Sequence, residues 1–579
     1  LATMGLVFSG FEPDPTAIFQ SSDCMDMTAE EISNLIADTI KAAATLKRCG
    51  FDCVEVNAAG ENVGQTFMSR NRNKREDDYG PQTFESRTRF VCEIVRGIKA
   101  ECGEDFPVQV LINGVEENDK AIGDNAFFTT VEENKEMCKL IEAAGADSLH
   151  IRIGPCGQHV AEFAGDLYFC GTGIEGTTGY GTQFDFTRHW QGMLKADQSG
   201  LGIMVPVAAE IKKAVSIPVG AVTYMDPARD PEFFESLIAS GELDFILMNR
   251  PLSVDYDYLH KLEEGRIDEI RPCTRCMHCH WDAADDGNLT FSCRTNAAHP
   301  FRFVTGQLTG SYDPEPAATA KNVVVVGAGP AGLEAARVAA ERGHSVTLYE
   351  KKGSVGGLLE FANNVKGPHE NLSVLRSYFE RQMEVLGVNV MLNTEATADI
   401  IAEASPDIVI AATGGVRDTL GLSDTAGTKV VGIDDFMMAD IAEEVVIVGS
   451  NVQAIDAAMY LLAQGKHVQV VTPNAASAIG AGHSFWVKTF TQPNMKALGV
   501  RFWPEATVTA VNDGSVTVKT ATGIEQEIAC GTVVEALDCL PNDNLSTGLS
   551  CEVVTVGDAA RPFNIGEAIC SGNAAARAI

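Results

Sequence analysis

A glycine-rich turn between an apolar strand and an alanine-rich helix constrains the fold of this chain most strongly. The run NVVVVGAGPAGLEAARVAAERGHSVTLYEK begins at Asn322 and places Gly327, Gly329 and Gly332 in a G-x-G-x-x-G pattern. Glu350 ends the second apolar strand of the same run. Such glycines let the backbone approach a pyrophosphate at a helix N-terminus, and the acidic residue accepts hydrogen bonds from a ribose. The sequence therefore predicts a dinucleotide-binding α/β domain after residue 320.

A second strand, glycine turn and helix follow at residues 444–472. Gly449 keeps the first glycine position, Asn451 replaces the second glycine and Ala454 replaces the third. Thr472 occupies the position that reads the ribose, where an acid favours NADH and a nearby arginine favours NADPH. We expect a second nucleotide-binding domain here, and the choice between NADH and NADPH stays open.

Four cysteines lie close together in the segment that precedes the first glycine turn. Cys273, Cys276, Cys279 and Cys293 have the spacing C-x2-C-x2-C-x13-C. Four thiolates bind either zinc or an iron–sulfur cluster, and three closely spaced cysteines with a more distant fourth favour the cluster. Zinc and unliganded thiols remain as alternatives. The other cysteines are widely spread, which predicts a reduced chain in the cytoplasm.

Short apolar runs alternate with amphipathic helices from residue 1 to about residue 265. This alternation predicts parallel βαβ units, and six such units are found when the apolar residues 4–8 are included. A closed barrel of this type needs eight strands. We therefore expect about two strands before the first of these six. The chain begins with Leu1 and not with Met, which agrees with a missing N-terminal piece.

The charge balance excludes two classes of partner. The chain carries 79 acidic and 44 basic side chains, and its formal net charge is −35. This charge repels phosphate backbones and anionic lipid, and the sequence has no cluster of lysine and arginine that would offset it. The sequence also has no apolar run long enough for a membrane span. We expect neither nucleic acid nor a membrane as a partner.

Further motifs carry a resemblance to known enzymes. Residues 67–90, FMSRNRNKREDDYGPQTFESRTRF, resemble the pattern N-x-R-x-D-x-Y-G-G-S-x-E-N-R-x-R-F of the Old Yellow Enzyme group. The runs DIVIAATGG (407–415) and TVGDAARPFNIGEAICSGNAAARAI (555–579) resemble the two-dinucleotide flavoprotein reductases. A barrel, a four-cysteine segment, an FAD unit and an inserted NAD(P) unit occur in this order in the 2,4-dienoyl-CoA reductase family and in the related enoate reductases, bile-acid reductases and trimethylamine dehydrogenases.

The resemblance implies an α/β protein with four parts. An N-terminally incomplete TIM (β/α)8 barrel that binds FMN takes residues 1–265, and a 4Fe-4S segment with its linker takes residues 266–319. Two Rossmann-like domains follow: an FAD domain takes residues 320–435 and 541–579, and an NAD(P)H domain is inserted at residues 436–540. In this arrangement the four grouped cysteines hold the 4Fe-4S cluster.

The resemblance also implies cofactor-binding residues. Backbone amides after the last two barrel strands hold the FMN phosphate in the family, and the matching residues here are Thr223, Asn249 and Arg250. For Arg250, a structural salt bridge is the alternative. We expect NAD(P)H contacts from Gly449 and Asn451. The expected FAD contacts are Gly327, Gly329, Gly332, Glu350, Gly357, Gly414 and Asp558.

Two positions depart from the family pattern. Asn62 stands where the family has a proton-donating tyrosine, and Leu111 stands where an arginine lies beneath the flavin. A substitute donor is expected from the ring-rich loop at residues 154–202, although packing within the loop is the alternative role of each candidate. The candidates are His159, Tyr168, Tyr180 and His189.

The activity implied by the resemblance is NAD(P)H-dependent reduction of an electron-poor C=C bond. Electrons would pass from NAD(P)H to FAD, through the 4Fe-4S cluster to FMN, and then to an unsaturated carbonyl substrate. A flat polyphenol, a steroid or an acyl-type compound fits best, because the loop looks similar to that of gut-bacterial isoflavone (daidzein) reductases. The alternatives are an amine or steroid dehydrogenase that runs in the oxidative direction, a non-catalytic diaphorase or electron-transfer subunit, and a zinc-stabilised flavoprotein. Association into a homo-oligomer is compatible with the sequence.

Overall fold

The computed structural model divides the chain into two compact units. Among the residues that it describes, the N-terminal unit runs to Asn249 and the C-terminal unit runs from Arg250 to Ile579. The described residues are 2–4, 26–60, 62–116, 129–154, 201–202, 204–279, 282–283, 289–290, 292–299, 302, 310–366, 370–484, 487–488, 492, 495–496, 499–542, 544–545 and 549–579.

Six parallel strands form the sheet of the N-terminal unit, and each strand pairs with the next in chain order. They are β1 (Ala2–Met4), β2 (Val54–Ala58), β3 (Val108–Glu116), β4 (Ser148–Gly154), β5 (Val219–Ala221) and β6 (Phe245–Ile246). This is the strand order of a TIM barrel, so the six predicted βαβ units are confirmed. The first strand is placed at Ala2–Met4, and of residues 4–8 only Met4 belongs to the described part of the chain.

The helices of this unit begin at side-chain caps. Thr28, Thr83 and Thr130 each accept a hydrogen bond from the backbone N–H three residues further on. Gly50 and Gly145 follow two of these helices with φ of +90° and +102°, as expected for glycines that end a helix. The helices from here to the cysteine segment are α1 (Ala29–Arg48), α2 (Val63–Met68), α3 (Phe84–Cys102), α4 (Val131–Ala143), α5 (Val205–Lys212), α6 (Pro231–Ala239), α7 (Arg250–Val254) and α8 (Tyr258–Glu263).

The two faces of the N-terminal sheet differ in polarity. One face packs on the helices, since a Cβ added to Gly114 of β3 would meet Ile151 of β4 and Val207 of α5 within 2.7 Å. The opposite face, which is the barrel interior, carries Glu55 and Gln109 as cross-strand neighbours on β2 and β3. Both side chains are buried. The interior face of this sheet is therefore polar near the N-terminal ends of β2 and β3.

The C-terminal unit contains the remaining strands and helices. A two-stranded antiparallel pair, β7 (Asp282–Ala283) and β8 (Leu289–Thr290), lies within the cysteine segment. The further strands are β9 (Asn322–Val326), β10 (Ser345–Tyr349), β11 (Asn389–Met391), β12 (Ile408–Ala411), β13 (Val416–Arg417), β14 (Lys429–Gly432), β15 (Glu444–Val448), β16 (His467–Val471), β17 (Arg501–Trp503), β18 (Ala506–Asn512), β19 (Ser515–Thr520), β20 (Glu525–Ala529), β21 (Thr532–Glu535), β22 (Cys539–Leu540) and β23 (Glu552–Thr555). The further helices are α9 (Pro330–Glu341), α10 (Leu359–Lys366), α11 (Leu372–Val385), α12 (Ala398–Glu403), α13 (Val452–Ala463) and α14 (Ile565–Ala578).

Two parallel five-stranded sheets correspond to the two predicted nucleotide domains. The first sheet has the order β11-β10-β9-β12-β23, so the last strand of the chain completes a sheet that begins at residue 322. The second sheet has the order β14-β21-β15-β16-β17, and the antiparallel sheet β18-β19-β20 lies between β17 and β21 in the chain. The antiparallel pair β13 and β22 stands where the chain enters and leaves the inserted domain. The inserted sheet includes β14, so the insertion begins by residue 429, a few residues earlier than 436.

The border between the two units also lies earlier than residue 265. Helices α7 and α8 pack with the C-terminal unit because the cysteine segment binds the turn between them. Asn296 donates to the carbonyl of Val254 (2.9 Å), and the carboxylate of Asp255 accepts from the backbone N–H of Arg271 (2.8 Å). These contacts link α7 to the cysteine segment through local hydrogen bonds that the strand pattern does not reveal.

No helix within the described ranges is both long enough and apolar enough to cross a lipid bilayer.

Candidate functional site

The first glycine turn has room only for glycine at two of its three positions. A Cβ on Gly327 would lie 2.3 Å from the carbonyl oxygen of Ala412, and a Cβ on Gly332 would lie 1.9 Å from the carbonyl oxygen of Gly327. Real Cβ atoms do not approach this closely, so these two glycines allow β9, β12 and α9 to pack tightly around the turn. The first glycine turn therefore has the close backbone packing that its sequence predicts.

The N-terminus of α9 is open at Gly329. This residue begins the helix without a side-chain cap, and a Cβ added to it would meet nothing within 4 Å. The first backbone N–H groups of a helix lack intrahelical partners and attract anions. Glu350 lies beside the turn, where its carboxylate accepts from the N–H of Ala328 and from the N–H of Lys352, both at 2.8 Å. The turn thus offers N–H donors to a pyrophosphate and a fixed carboxylate to a ribose.

Three further predicted residues lie around the same turn. Gly357 has φ +55°, and a Cβ there would lie 3.0 Å from the Cα of Gly329, so this glycine also permits close approach of two backbones. Gly414 follows β12 with φ +77°, and Asp558 follows β23. Because β9, β12 and β23 are adjacent parallel strands, their carboxyl ends bring these residues to one edge of the sheet. Burial raises the pKa of Asp558, whose carboxylate accepts from the N–H of Phe563 at 3.3 Å.

The second glycine turn differs from the first because a side chain of the protein caps its helix. The Oδ1 atom of Asn451 accepts from the N–H of Ala454 (2.9 Å) at the start of α13. The Nδ2 atom of Asn451 donates to the carbonyl of Ala536 (3.1 Å) and to Asp538 (3.0 Å). A nucleotide phosphate at this turn would compete with Asn451 for the first N–H groups of the helix.

The hydroxyl of Thr472 is not available to form a hydrogen bond with a ribose in this structure. Its side chain is fully buried, and its hydroxyl donates to the hydroxyl of Ser450 at 2.9 Å. Asn474 lies next to it and donates to the same Ser450 hydroxyl at 3.2 Å. The position that distinguishes NADH from NADPH in other domains of this kind is therefore occupied by an internal hydrogen-bond network.

The four grouped cysteines lie near one another in the C-terminal unit. Burial raises the pKa of Cys273 to about 11 and also raises the pKa of Cys279, and charge on neighbouring thiolates of the group adds to both effects. Within the described ranges, no three His, Cys, Asp or Glu side chains converge closely enough to hold a single metal ion. Four buried or half-buried thiols are the donor set that an iron–sulfur cluster needs, so the residues present fit the predicted 4Fe-4S cluster.

Buried polar contacts hold the cysteine segment against the first nucleotide domain. Arg271 pairs with Glu334 of α9 at 3.2 Å, and Arg294 pairs with Glu370 at 2.9 Å. The side chain of Asn371 donates to the backbone carbonyl of Cys273 at 2.9 Å. The segment that carries the four thiols is therefore fixed to the same domain that carries the open glycine turn.

The predicted FMN-phosphate residues lie at the ends of β5 and β6. Thr223 has φ +91°, which is a strained conformation for a residue other than glycine, and such strain is concentrated at functional sites. Asn249 follows β6 and is the last described residue of the N-terminal unit. The guanidinium of Arg250 contacts the sulfur of Met277 at 3.2 Å and opposes the rise in the pKa of Cys273. Arg250 thus has a contact in the cysteine segment that the sequence does not predict, and its role at a phosphate stays a prediction.

The Old Yellow Enzyme-like run builds a loop that is held by hydrogen bonds. The buried side chain of Asn73 donates to the carbonyls of Phe67 (2.8 Å) and Tyr79 (2.7 Å). The hydroxyl of Tyr79 donates to Glu93 of α3 at 2.8 Å, and burial together with this bond raises the pKa of Tyr79 to about 12. These matched residues shape the segment between α2 and α3.

The barrel interior also contains a buried hydrogen-bonded group that no sequence motif predicts. His150 on β4 places its Nδ1 atom 2.7 Å from the Oε2 atom of Glu55, and Gln109 donates to the same oxygen. All three side chains are buried, and the Nε2 atom of His150 has no hydrogen-bond partner among the described residues. The signal in the sequence is a polar residue at the centre of each of three apolar strands, in VEV, VQV and LHI.

The four predicted proton donors, His159, Tyr168, Tyr180 and His189, lie outside the described residues. Asn62 begins α2, and its side chain donates to the carbonyl of Ala59 at 2.8 Å. Leu111 is buried in the barrel interior next to His150 on the neighbouring strand. Neither of the two unusual residues supplies a proton donor in place of the tyrosine or a cation in place of the arginine.

Two family profiles match this chain. Residues 12–154 match the NADH:flavin oxidoreductase / NADH oxidase family, and residues 321–558 match the pyridine nucleotide-disulphide oxidoreductases. These matches support FMN, FAD and NAD(P)H as the nucleotide cofactors and agree with the 4Fe-4S cluster expected from the cysteines. The first match lies within the N-terminal unit and ends well before Asn249, and the second spans most of the two nucleotide domains.

Similar proteins share both parts. The chain is 34% identical over 460 residues to an NADH oxidase of Thermoanaerobacter brockii, a match that covers 78% of this chain and 63% of that protein. It is 31% identical over 458 residues to a cinnamate reductase of Clostridium sporogenes, with coverages of 77% and 62%. The chain thus spans a little over three fifths of these two relatives. A solved 2-naphthoyl-CoA reductase is similar with a TM-score of 0.78 and 29% identity, over 96% of this chain and 78% of that one.

Proposed function

Since the chain belongs to the Old Yellow Enzyme-like flavin oxidoreductases of the 2,4-dienoyl-CoA reductase type, we propose that it uses NAD(P)H to reduce an electron-poor C=C bond. The main support for an internal electron path is a set of contacts within the C-terminal unit. The cysteine segment is hydrogen-bonded to the domain with the open glycine turn, through Arg271, Arg294 and Asn371. Such a connection suits an internal path for electrons between a nucleotide-binding domain and a barrel.

Each cofactor has candidate residues in the chain. When bound, the FAD accepts a hydride from NAD(P)H, the 4Fe-4S cluster carries single electrons and the FMN returns a hydride to the substrate. The N-terminal amides of α9 at Gly329 bind the FAD pyrophosphate, and Glu350 accepts a hydrogen bond from its ribose. The thiols of Cys273, Cys276, Cys279 and Cys293 would hold the cluster as thiolates.

The substrate that we propose is a flat, conjugated carbonyl compound with an aromatic ring. Two similar proteins support this class, since one is named a cinnamate reductase and another is a 2-naphthoyl-CoA reductase. Residues 154–202 are rich in aromatic side chains, a composition that suits contact with such a compound. From that loop one of His159, Tyr168, Tyr180 and His189 donates the proton to the α-carbon.

A labelled reductant tests the reaction and its route together. Full-length protein, purified without oxygen, is given cinnamate and NADH or NADPH that carries deuterium at C4. We expect the saturated acid to form without deuterium from the nucleotide, because single-electron transfer separates the nucleotide hydride from the hydride given to the substrate. Deuterium at the β-carbon would contradict the internal relay.

Two further assays on the same protein separate the alternatives. Oxidation of NAD(P)H by ferricyanide without reduction of any conjugated acid or enone would favour a diaphorase or electron-transfer subunit. Bleaching of the flavin spectrum by an amine, with no response to NAD(P)H, would favour a dehydrogenase that runs in the oxidative direction. Cys276→Ser serves as the relay variant and Cys138→Ser, which changes a buried cysteine of α4, serves as its control.

A further inference from the structure

A buried network of charged side chains connects three segments of the C-terminal unit. Lys366 at the end of α10 places its Nζ atom 3.0 Å from Asp456 and 3.4 Å from Glu370. The second oxygen of Glu370 pairs with Arg294 at 2.9 Å, and Asp456 also binds the Nε2 atom of His483 at 2.9 Å. The side chains of these five residues are only 2–8% exposed.

The members of this network come from parts of the chain with different proposed tasks. Arg294 directly follows the cysteine Cys293, and Lys366 and Glu370 belong to the first nucleotide domain. Asp456 lies on α13, the helix that begins at the second glycine turn. Lys366 therefore binds the inserted domain by charge to the domain on which the cysteine segment packs.

Apolar contacts place α10 against the inserted domain at the same site. Val365 packs into the core of the inserted domain together with Phe436 and Val445. The ring of Phe361, one turn earlier on α10, lies 5.8 Å from the ring of Phe436. The buried ion pair at 3.0 Å adds a charged contact to this apolar packing, and its loss would leave Asp456 without that cation.

The surroundings of Lys366 and Asp456 favour the ionised form of each side chain. Burial alone would lower the pKa of Lys366, but the carboxylates of Asp456 and Glu370 raise it above its ordinary value. Burial would raise the pKa of Asp456, but Lys366 and His483 lower it. Two positive and two negative side chains, Arg294 and Lys366 with Glu370 and Asp456, balance within the network.

The loop that carries His483 also touches the second glycine turn. The backbone N–H of Gly480 donates to the carbonyl of Ser450 at 2.7 Å, and Asn451 forms a β-bridge with Ala481. His483 is bound to Asp456, so the position of this loop depends on the same carboxylate that Lys366 holds. The network therefore fixes both the helix and the loop that border the second turn.

We propose that Lys366 is a positioning residue, and that its ion pair with Asp456 sets the angle at which the inserted domain presents its nucleotide to the first domain. This inference rests on the proposed function, because it assumes that NAD(P)H binds the inserted domain and reduces a flavin bound at the first. Hydride transfer depends steeply on geometry, and a misplacement of about 1 Å costs about 100-fold in rate.

The test uses anaerobic stopped-flow reduction of the holoenzyme by NADH or NADPH. We expect Lys366→Met to slow flavin reduction at saturating nucleotide by about 10- to 100-fold. The apparent Kd of the nucleotide should change by a smaller factor than this rate constant, because Lys366 lies on α10 and not in the second glycine turn itself. Lys519→Met, which breaks an exposed ion pair with Glu525 in the same inserted domain, is the matched control and should reduce at the wild-type rate.

A double variant separates positioning from mere stability. Lys366→Met leaves the buried carboxylate of Asp456 without its cation, but Lys366→Met combined with Asp456→Asn removes one charge of each sign. We expect the double variant to recover the wild-type Tm and to keep the slow flavin reduction. Recovery of both the Tm and the rate would overturn the proposal, as would a wild-type rate in Lys366→Met alone. If neither NADH nor NADPH reduces the wild-type holoenzyme, the proposed function fails instead.

Discussion

Replacement of Glu334 by glutamine should destabilise the C-terminal unit by about 3 kcal/mol at neutral pH. The Glu334 side chain is fully buried and accepts from Asn573 (2.8 Å), Arg337 (2.9 Å) and Arg271 (3.2 Å). Burial would raise the pKa of Glu334, but the two guanidiniums lower it from 4.5 to about 2. At about 1.4 kcal/mol per pKa unit, the difference between these two pKa values corresponds to about 3 kcal/mol of stability.

The sign of the pH dependence follows from the direction of that pKa change. The folded pKa of Glu334 lies below the value of an ordinary glutamate, so its contribution is fully present above pH 4.5 and is lost as the pH falls toward 2. The difference in unfolding free energy between the wild type and Glu334→Gln should therefore be constant from about pH 8 to about pH 5 and should shrink below that range.

Hydrogen exchange in increasing urea measures the free energy of opening for peptides of β9 and α9 directly. Glu341→Gln is the matched control because Glu341 lies on the same helix and also pairs with Arg337, but its side chain is 36% exposed. We expect this control to cost less than about 0.5 kcal/mol. Equal losses in the two variants, or a Glu334→Gln loss that does not diminish in acid, would refute the reasoning.

Three further predictions concern the candidate sites. Gly332→Ala should abolish FAD binding, measured by flavin content after purification, because its Cβ would lie 1.9 Å from a backbone oxygen, whereas Gly432→Ala has open space and should bind normally. Cys276→Ser should remove most of the iron and the visible absorption of a cluster, and Cys138→Ser should leave both unchanged; equal iron in the two variants would speak against the predicted ligand set. Asn451→Gly should lower the apparent Kd of NAD(P)H in a fluorescence titration, because it frees the first N–H groups of α13 at a stability cost of only a few tenths of a kcal/mol; a higher Kd would mean that Asn451 itself binds the nucleotide.

Local patterns in the sequence carry much of the fold. The glycines of the first turn and the alternation of apolar runs predict both nucleotide domains and the six parallel strands, because each depends on residues that are close in the chain. The caps at Thr28, Thr83 and Thr130 also follow from local residues. These features can be predicted without knowing which distant segments of the chain contact each other.

The contacts that the sequence does not predict depend on register and on long-range packing. Glu55 and His150 meet only because β2, β3 and β4 pair in a particular register. The position of Arg250 against Met277 depends on how the cysteine segment folds back on α7. Asn451 replaces a glycine in the sequence, but only the structure shows that its side chain caps the helix in place of a phosphate.

The most direct test of the electron path is an anaerobic titration of the full-length protein with NADH and with NADPH, combined with analysis of iron, sulfide and flavin. We expect about four irons, one FMN and one FAD per chain, with flavin and cluster absorption bleached together by one of the two nucleotides and restored by an added conjugated enone. Zinc in place of iron, or FAD without FMN, would contradict the internal relay.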